Sequence, residues 1–146
     1  MDMPGDVRNE IQILQSMNGT QAKNSIARDG TMLKHLLGEF LTLESVSAAV
    51  IIGRDGFVIE SAVSGKIDLE ALGAMASTGL GTSETLGTTL EKGDMYQMLV
   101  ELQKGSILLA PLSSDELIAI VADSSSHIGR IRYELKKNRE RIIAAL

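Results

Sequence analysis

Ala49-Val50-Ile51-Ile52-Gly53-Arg54-Asp55-Gly56-Phe57-Val58-Ile59-Glu60 is the stretch on which the reading of this chain turns. Asp55-Gly56 supplies residues that tolerate left-handed backbone between two β-rich runs. The pattern predicts a hairpin, with Val46 to Ile52 as one strand, Gly53-Arg54-Asp55-Gly56 as the turn and Phe57 to Ser61 as the other. The first strand is apolar on both faces, Val46, Ala48, Val50 and Ile52 on one and Ala49 and Ile51 on the other, which predicts a central strand covered on both sides. The second turns polar at Glu60 and Ser61, as suits a sheet edge.

Downstream, Asp68 predicts the N-cap of a helix running to about Leu90, with Glu70 placed to complement the helix dipole. Leu69, Leu72, Ala76, Leu80, Ser83, Gly87 and Leu90 form a stripe expected to face the sheet. Ala71, Ala74, Met75, Thr78, Thr82, Thr85 and Thr89 form a second stripe of mostly small residues, over which another backbone can approach closely. Glu70, Ser77, Glu84 and Glu91 recur every seven residues and are expected to point outward. Gly73, Gly79, Gly81 and Gly87 each cost roughly 0.8 to 1 kcal/mol relative to alanine inside a helix, so their presence predicts a packing reason.

Three short apolar runs follow, Met95 to Leu102, Ser106 to Leu112 and Glu116 to Asp123, separated by Gln103-Lys104-Gly105 and Ser113-Ser114-Asp115. Turns this short make an antiparallel meander. Pro111 cannot donate to a ladder and is expected near its strand's end. One of Ser124, Ser125 or Ser126 is expected to cap a last helix whose Ile128, Ile131, Leu135 and Ile142 face the sheet. Upstream, Thr31 is expected to cap a helix from Met32 to Leu43 that buries Leu33, Leu36, Leu37, Phe40 and Leu41. Residues 1–29 lack sustained periodicity and read as a mobile arm, with one helical turn at Glu10 to Met17, leaving residues 30–146 as a single domain.

Composition removes several classes of function. No apolar run approaches the roughly 18 to 20 residues that span a bilayer, so no integral membrane segment is expected. The N-terminal residues have no basic and apolar regions of a secretory signal, which places the expected site of action in the cytoplasm and makes Asn18-Gly19-Thr20 an incidental turn rather than a glycosylation site. With no cysteine there is no disulfide, thiolate metal site or cysteine nucleophile. His35 and His127 lack clustered carboxylates, so neither a metal nor any other cofactor is expected. Gly79-Leu80-Gly81-Thr82-Ser83 is not followed by the lysine of a phosphate loop and lies inside a helix. No serine sits in a nucleophile elbow, so no catalytic residue is assigned.

Charge is unevenly distributed in a chain of net charge −5. Residues 126–146 hold six basic residues (Arg130, Arg132, Lys136, Lys137, Arg139, Arg141) against Glu134 and Glu140, a surplus of +4, which leaves −9 for the remainder. A nucleic-acid surface would want interleaved aromatics, and Tyr133 is alone there, so a solvated helix face without nucleic acid is the expectation.

From about Thr31 to Leu146 the chain resembles the roadblock (dynein light-chain) domain family. The resemblance is carried by the hairpin quoted above, the small-residue helix after Asp68, Gly105-Ser106-Ile107-Leu108-Leu109-Ala110-Pro111-Leu112, and Leu117-Ile118-Ala119-Ile120-Val121-Ala122-Asp123 leading into a helix with Gly129. It implies an α+β fold: a five-stranded antiparallel sheet with the middle helix on one face and the first and last helices on the other. It also implies a homodimer in which the third strands pair across the two-fold axis and the middle helices pack together. That expectation assigns Ala71, Ala74, Met75, Thr78, Thr82, Thr85, Thr89, Tyr96, Met98 and Val100 to the dimer contact. Members of the family regulate or scaffold Ras-like GTPases, others serve dynein as adaptors, and the single-domain form is similar to bacterial gliding and polarity regulators and their archaeal relatives.

The resemblance therefore implies a noncatalytic regulator of a small Ras-like GTPase, acting without an arginine finger by positioning the GTPase's own switch residues. The expected docking stripe is Ser77, Gly81, Glu84, Thr88 and Glu91. A small-molecule sensory domain is the alternative, against which stands the scarcity of aromatic and convergent polar residues.

Overall fold

The eight residues of β1 (Val46–Gly53) are all buried, which is possible only for a strand flanked on both sides and covered on both faces. A computed structural model describes residues 31–124 and 127–146; the expected arm and the candidate caps Ser125 and Ser126 lie outside them. In chain order the elements are α1 (Thr31–Phe40), β1, β2 (Val58–Val63), α2 (Leu69–Thr89), β3 (Met98–Leu102), β4 (Gly105–Pro111), β5 (Glu116–Ala122) and α3 (Ile128–Ala145). The strands form one antiparallel sheet in the order β2-β1-β5-β4-β3, so β2 and β3 are its edges, and the α+β layering is the expected one.

Two apolar layers separate cleanly. Leu33, Leu36, Leu37 and Phe40 of α1 and Ile131, Leu135 and Ile142 of α3 pack on Ala49, Ile51, Leu108, Ala110, Ile118 and Ile120. On the other face Ala76 and Leu80 of α2 pack on Ala48, Val50, Ile52, Leu109, Leu117 and Ala119. Strict alternation assigned Val46 to the α2 face, but it lies in the α1/α3 layer. The cause is a bulge: Val46 pairs with Ala122 and Ala48 with Val121, so Ser47 is an extra residue that slips the alternation by one. Ser47 donates its hydroxyl to the Val121 carbonyl at 3.3 Å.

Local signals explain most boundaries. The Asp68 side chain accepts from the Ala71 amide at 3.0 Å and caps α2 as expected. Gly56 turns the hairpin at φ +92°, and β2 starts at Val58, one residue after the expected Phe57, which lies in the turn exposed. β1 stays paired through Gly53, one residue past the expected Ile52. α1 stops at Phe40, short of the expected Leu43, because Leu41, Thr42 and Leu43 donate to carbonyls three residues back and wind the end into a tighter turn. Thr31 is already helical rather than the cap. His127 occupies the cap position of α3 without a side-chain capping bond, in place of the expected serine.

β3 begins at Met98 instead of Met95, and Pro111 explains why. In the register Met98↔Leu109, Tyr96 would fall opposite Pro111. Leu112 donates to Glu116 of β5, so by alternation the Pro111 nitrogen faces the β3 side, where it has no hydrogen to give. The ladder ends before reaching it.

Candidate functional site

α2 is half covered. Its buried residues are Gly73, Ala76 and Leu80, and from Gly81 to Thr89 no residue is buried. Leu90, expected to face the sheet, is 57% exposed, as is Leu86 at 58%. The expected dimer residues fall on the open side: Ala74, Met75, Thr78, Thr82, Thr85 and Thr89 are exposed and Ala71 half-buried. Met75 exposes 68% of its surface.

Three of these threonines satisfy their hydroxyls on their own helix. Thr78 donates its hydroxyl to the Ala74 carbonyl (2.9 Å), Thr82 to Thr78 (2.9 Å) and Thr85 to Gly81 (3.1 Å). With the hydroxyl already bonded to its own helix, each of these three threonines needs no polar partner from whatever packs on it, and a row that reads as polar in composition can be covered at less cost. Ala71, Met75, Thr78, Thr82, Thr85 and Thr89 succeed one another in alternating steps of four and three, the spacing of a two-helix seam. Among the described residues nothing packs on this row.

The open edge β3 adjoins it. Ser83 of α2 donates to the Met98 sulfur at 3.4 Å. Met98, Leu99 and Val100 are half-buried, while Tyr96 is 86% and Leu102 57% exposed. An apolar edge strand with unpaired backbone groups accepts another strand readily.

The expected docking stripe is less uniform than its sequence spacing implies. Thr88 and Glu91 are exposed, and Gly81 is half-buried with open space where a side chain would grow. Ser77 is half-buried against the hairpin, its hydroxyl on the Ala74 carbonyl. Glu84 does not point outward: both its oxygens accept from Arg54 of the hairpin, and Arg54 also reaches the Ser113 carbonyl at 3.2 Å. Sequence reasoning treated Arg54 only as a turn residue, and nothing local marks a partner thirty positions away.

Glu91 carries a second surprise, in its backbone. Its amide donates to the Thr88 carbonyl and the Lys92 amide to that of Gly87, the paired bonds that close a helix C-terminus around a left-handed residue. That residue is normally glycine; here it is Glu91 at φ 57°. The histidines are surface groups on separate elements, His35 beside Glu39 (3.3 Å) and His127 beside Glu44 (3.4 Å). Among the described residues no helix is long and apolar enough to cross a membrane.

Comparison with known proteins identifies the fold. The model of a family described as Roadblock/LC7 domain matches residues 32–122. An uncharacterised protein of Methanocaldococcus jannaschii is 29% identical over 113 residues, covering 77% of this chain and 98% of that protein. The fold is that of a Roadblock/LC7 domain from Streptomyces avermitilis, at TM-score 0.69 and 19% identity over 75% of this chain and 92% of that one. The gliding protein MglB of Thermus thermophilus superimposes at TM-score 0.71 and 16% identity, covering 78% and 87% respectively.

Proposed function

The chain belongs to the Roadblock/LC7 domain family, and from that premise we propose that it is a noncatalytic, cytoplasmic homodimeric regulator or scaffold of a small Ras-like GTPase. One observation carries the reading: among the described residues, nothing covers the outer half of α2, with its heptad-spaced row of small side chains, or pairs with the adjoining edge β3. A second copy satisfies both at once. Its β3 extends the sheet across a two-fold axis while its α2 closes the seam, a self-complementary contact.

Dimerisation leaves Gly81, Thr88 and Glu91 on the rim of the helix pair, and this is the docking stripe we assign to the GTPase. Glu91 supports the assignment. A side chain at a left-handed position costs on the order of 1 kcal/mol relative to glycine, and at an exposed helix end a contact with a partner would account for keeping it. Exposed carboxylates on such a rim chiefly steer association and select the partner. The GTPase would be bound through its switch surface and acted on by positioning its own residues.

The test is nucleotide-dependent binding. Ras-like GTPases from the same genome are loaded with GDP or a non-hydrolysable GTP analogue and titrated against the dimer, and their hydrolysis rates are measured with and without it. Preference for one nucleotide state by at least one of them is the expected result. Binding to none in either state overturns the reading.

A further inference from the structure

The basic residues of α3 fall on two separate faces. At 3.6 residues per turn Arg132, Lys136 and Arg139 lie within about 60° of one another, and Arg130, Lys137 and Arg141 cluster about 150° away. The second group is partly engaged: Arg130 pairs with Glu134 at 3.3 Å and Arg141 donates to Asn138 at 3.2 Å. Among the described residues Arg132, Lys136 and Arg139 have no hydrogen-bond or ion-pair partner, and Glu140, one turn beyond Lys136, makes no ion pair with it.

These three unpaired cations line an open groove of about 420 Å³, bordered on the other side by the exposed Tyr96 and Gln97 at the approach to β3 and floored by buried Leu135 and Ala110. The place exists because the β3 ladder stops at Met98, leaving the preceding two residues beside α3 rather than in the sheet. It joins what sequence reasoning lacked: convergent donors, an aromatic residue and an apolar floor. Its volume lies in the range of roughly 300 to 1,000 Å³ typical of small-molecule sites.

We infer that this groove binds a small phosphorylated molecule with a flat apolar body. The Arg132 and Arg139 guanidinium groups present planar forks suited to phosphoryl oxygens and Lys136 adds a point charge. Leu135, Ala110 and Tyr96 take the apolar part. The groove lies on the opposite face of the sheet from the GTPase docking stripe on α2, and it shares Tyr96 with the dimer contact at the β3 edge, so the titration is made on the protein in its native oligomeric state.

Calorimetric titration of the full chain with adenosine 5′-monophosphate and phenyl phosphate tests it, with adenosine, phenol and inorganic phosphate as controls. Both organic phosphates bind, and removing either the phosphoryl group or the apolar body weakens binding by about tenfold or more. The double variant Arg132→Gln with Lys136→Gln loses about tenfold in affinity. Arg130→Gln with Lys137→Gln, equal in net charge, keeps wild-type affinity; circular dichroism establishes that both variants fold. The inference is overturned by equal losses in the two double variants, which marks diffuse electrostatics. It is equally overturned if neither organic phosphate binds, if inorganic phosphate binds as tightly as they do, or if a glutamate-rich peptide or anionic vesicle binds in their place.

Discussion

Arg54, at the start of the β1–β2 turn, donates to both carboxylate oxygens of Glu84 on α2, and this ion pair straps the hairpin to the helix across the open end of the sheet. The contact is three-quarters shielded on the arginine side, where 26% of the side chain is exposed, and it is supported by the Ser113 carbonyl. The Arg54 Nε is buried without a partner, so the guanidinium depends on Glu84 for most of its compensation.

Glu84→Gln is therefore expected to lower stability by about 1 kcal/mol, since the pair is bidentate but still reached by solvent. Urea unfolding of Arg54→Met, Glu84→Gln and the double variant forms the cycle that isolates the coupling. A coupling indistinguishable from zero would show the pair to be incidental. Glu84 is for the same reason a poor reporter of partner binding, because changing it disturbs the hairpin.

Gly73 and Gly81 lie on the same helix with opposite consequences for alanine. A Cβ on Gly73 would stand 2.3 Å from the Gly56 carbonyl oxygen, a backbone atom that can retreat only if the hairpin moves. Gly73→Ala is expected to destabilise by roughly 2 kcal/mol. A Cβ on Gly81 meets nothing within 4 Å. Gly81→Ala is expected to stabilise by up to about 1 kcal/mol through helix propensity alone. Thermal unfolding of both variants decides, and the same sign for the two would contradict the packing described.

Thr78→Arg places a long charged side chain in the middle of the seam of small side chains. The protein is expected to sediment as a dimer at micromolar concentration and the variant as a monomer of unchanged fold, because burying an unpaired charge costs more than such a seam returns. A wild-type monomer at that concentration removes the dimer; a variant that stays dimeric moves its interface elsewhere.

Glu91 separates stability from association. Glu91→Gly is expected to raise stability by about 1 kcal/mol, since glycine adopts φ 57° without strain. It is also expected to weaken binding of a verified GTPase partner, and Glu91→Lys to weaken it further with a flatter salt dependence. Surface plasmon resonance at two ionic strengths distinguishes them. Unchanged affinity in both variants would mean that the docking face is not this end of α2.

What the sequence determined by itself was whatever depends on neighbours a few positions apart. Asp68 as a cap, Gly56 as a turn, the two-sided burial of β1, Pro111 at a strand end and the inward row of α3 all follow from local donors and periodicity. The four-three spacing from Ala71 to Thr89 was equally open to reading, although spacing alone did not show that the hydroxyls of Thr78, Thr82 and Thr85 bond back to their own helix. Tertiary structure alone decided where elements meet. The Ser47 bulge moved Val46 to the other layer, because a single inserted residue inverts every side chain beyond it. The placement of α2 determined that Glu84 finds Arg54 and that Leu86 and Leu90 lie uncovered. The early end of β3 brought Tyr96 and Gln97 beside Arg132, Lys136 and Arg139. These pairings join residues far apart in the chain, and they depend on register and helix placement, which no local pattern encodes.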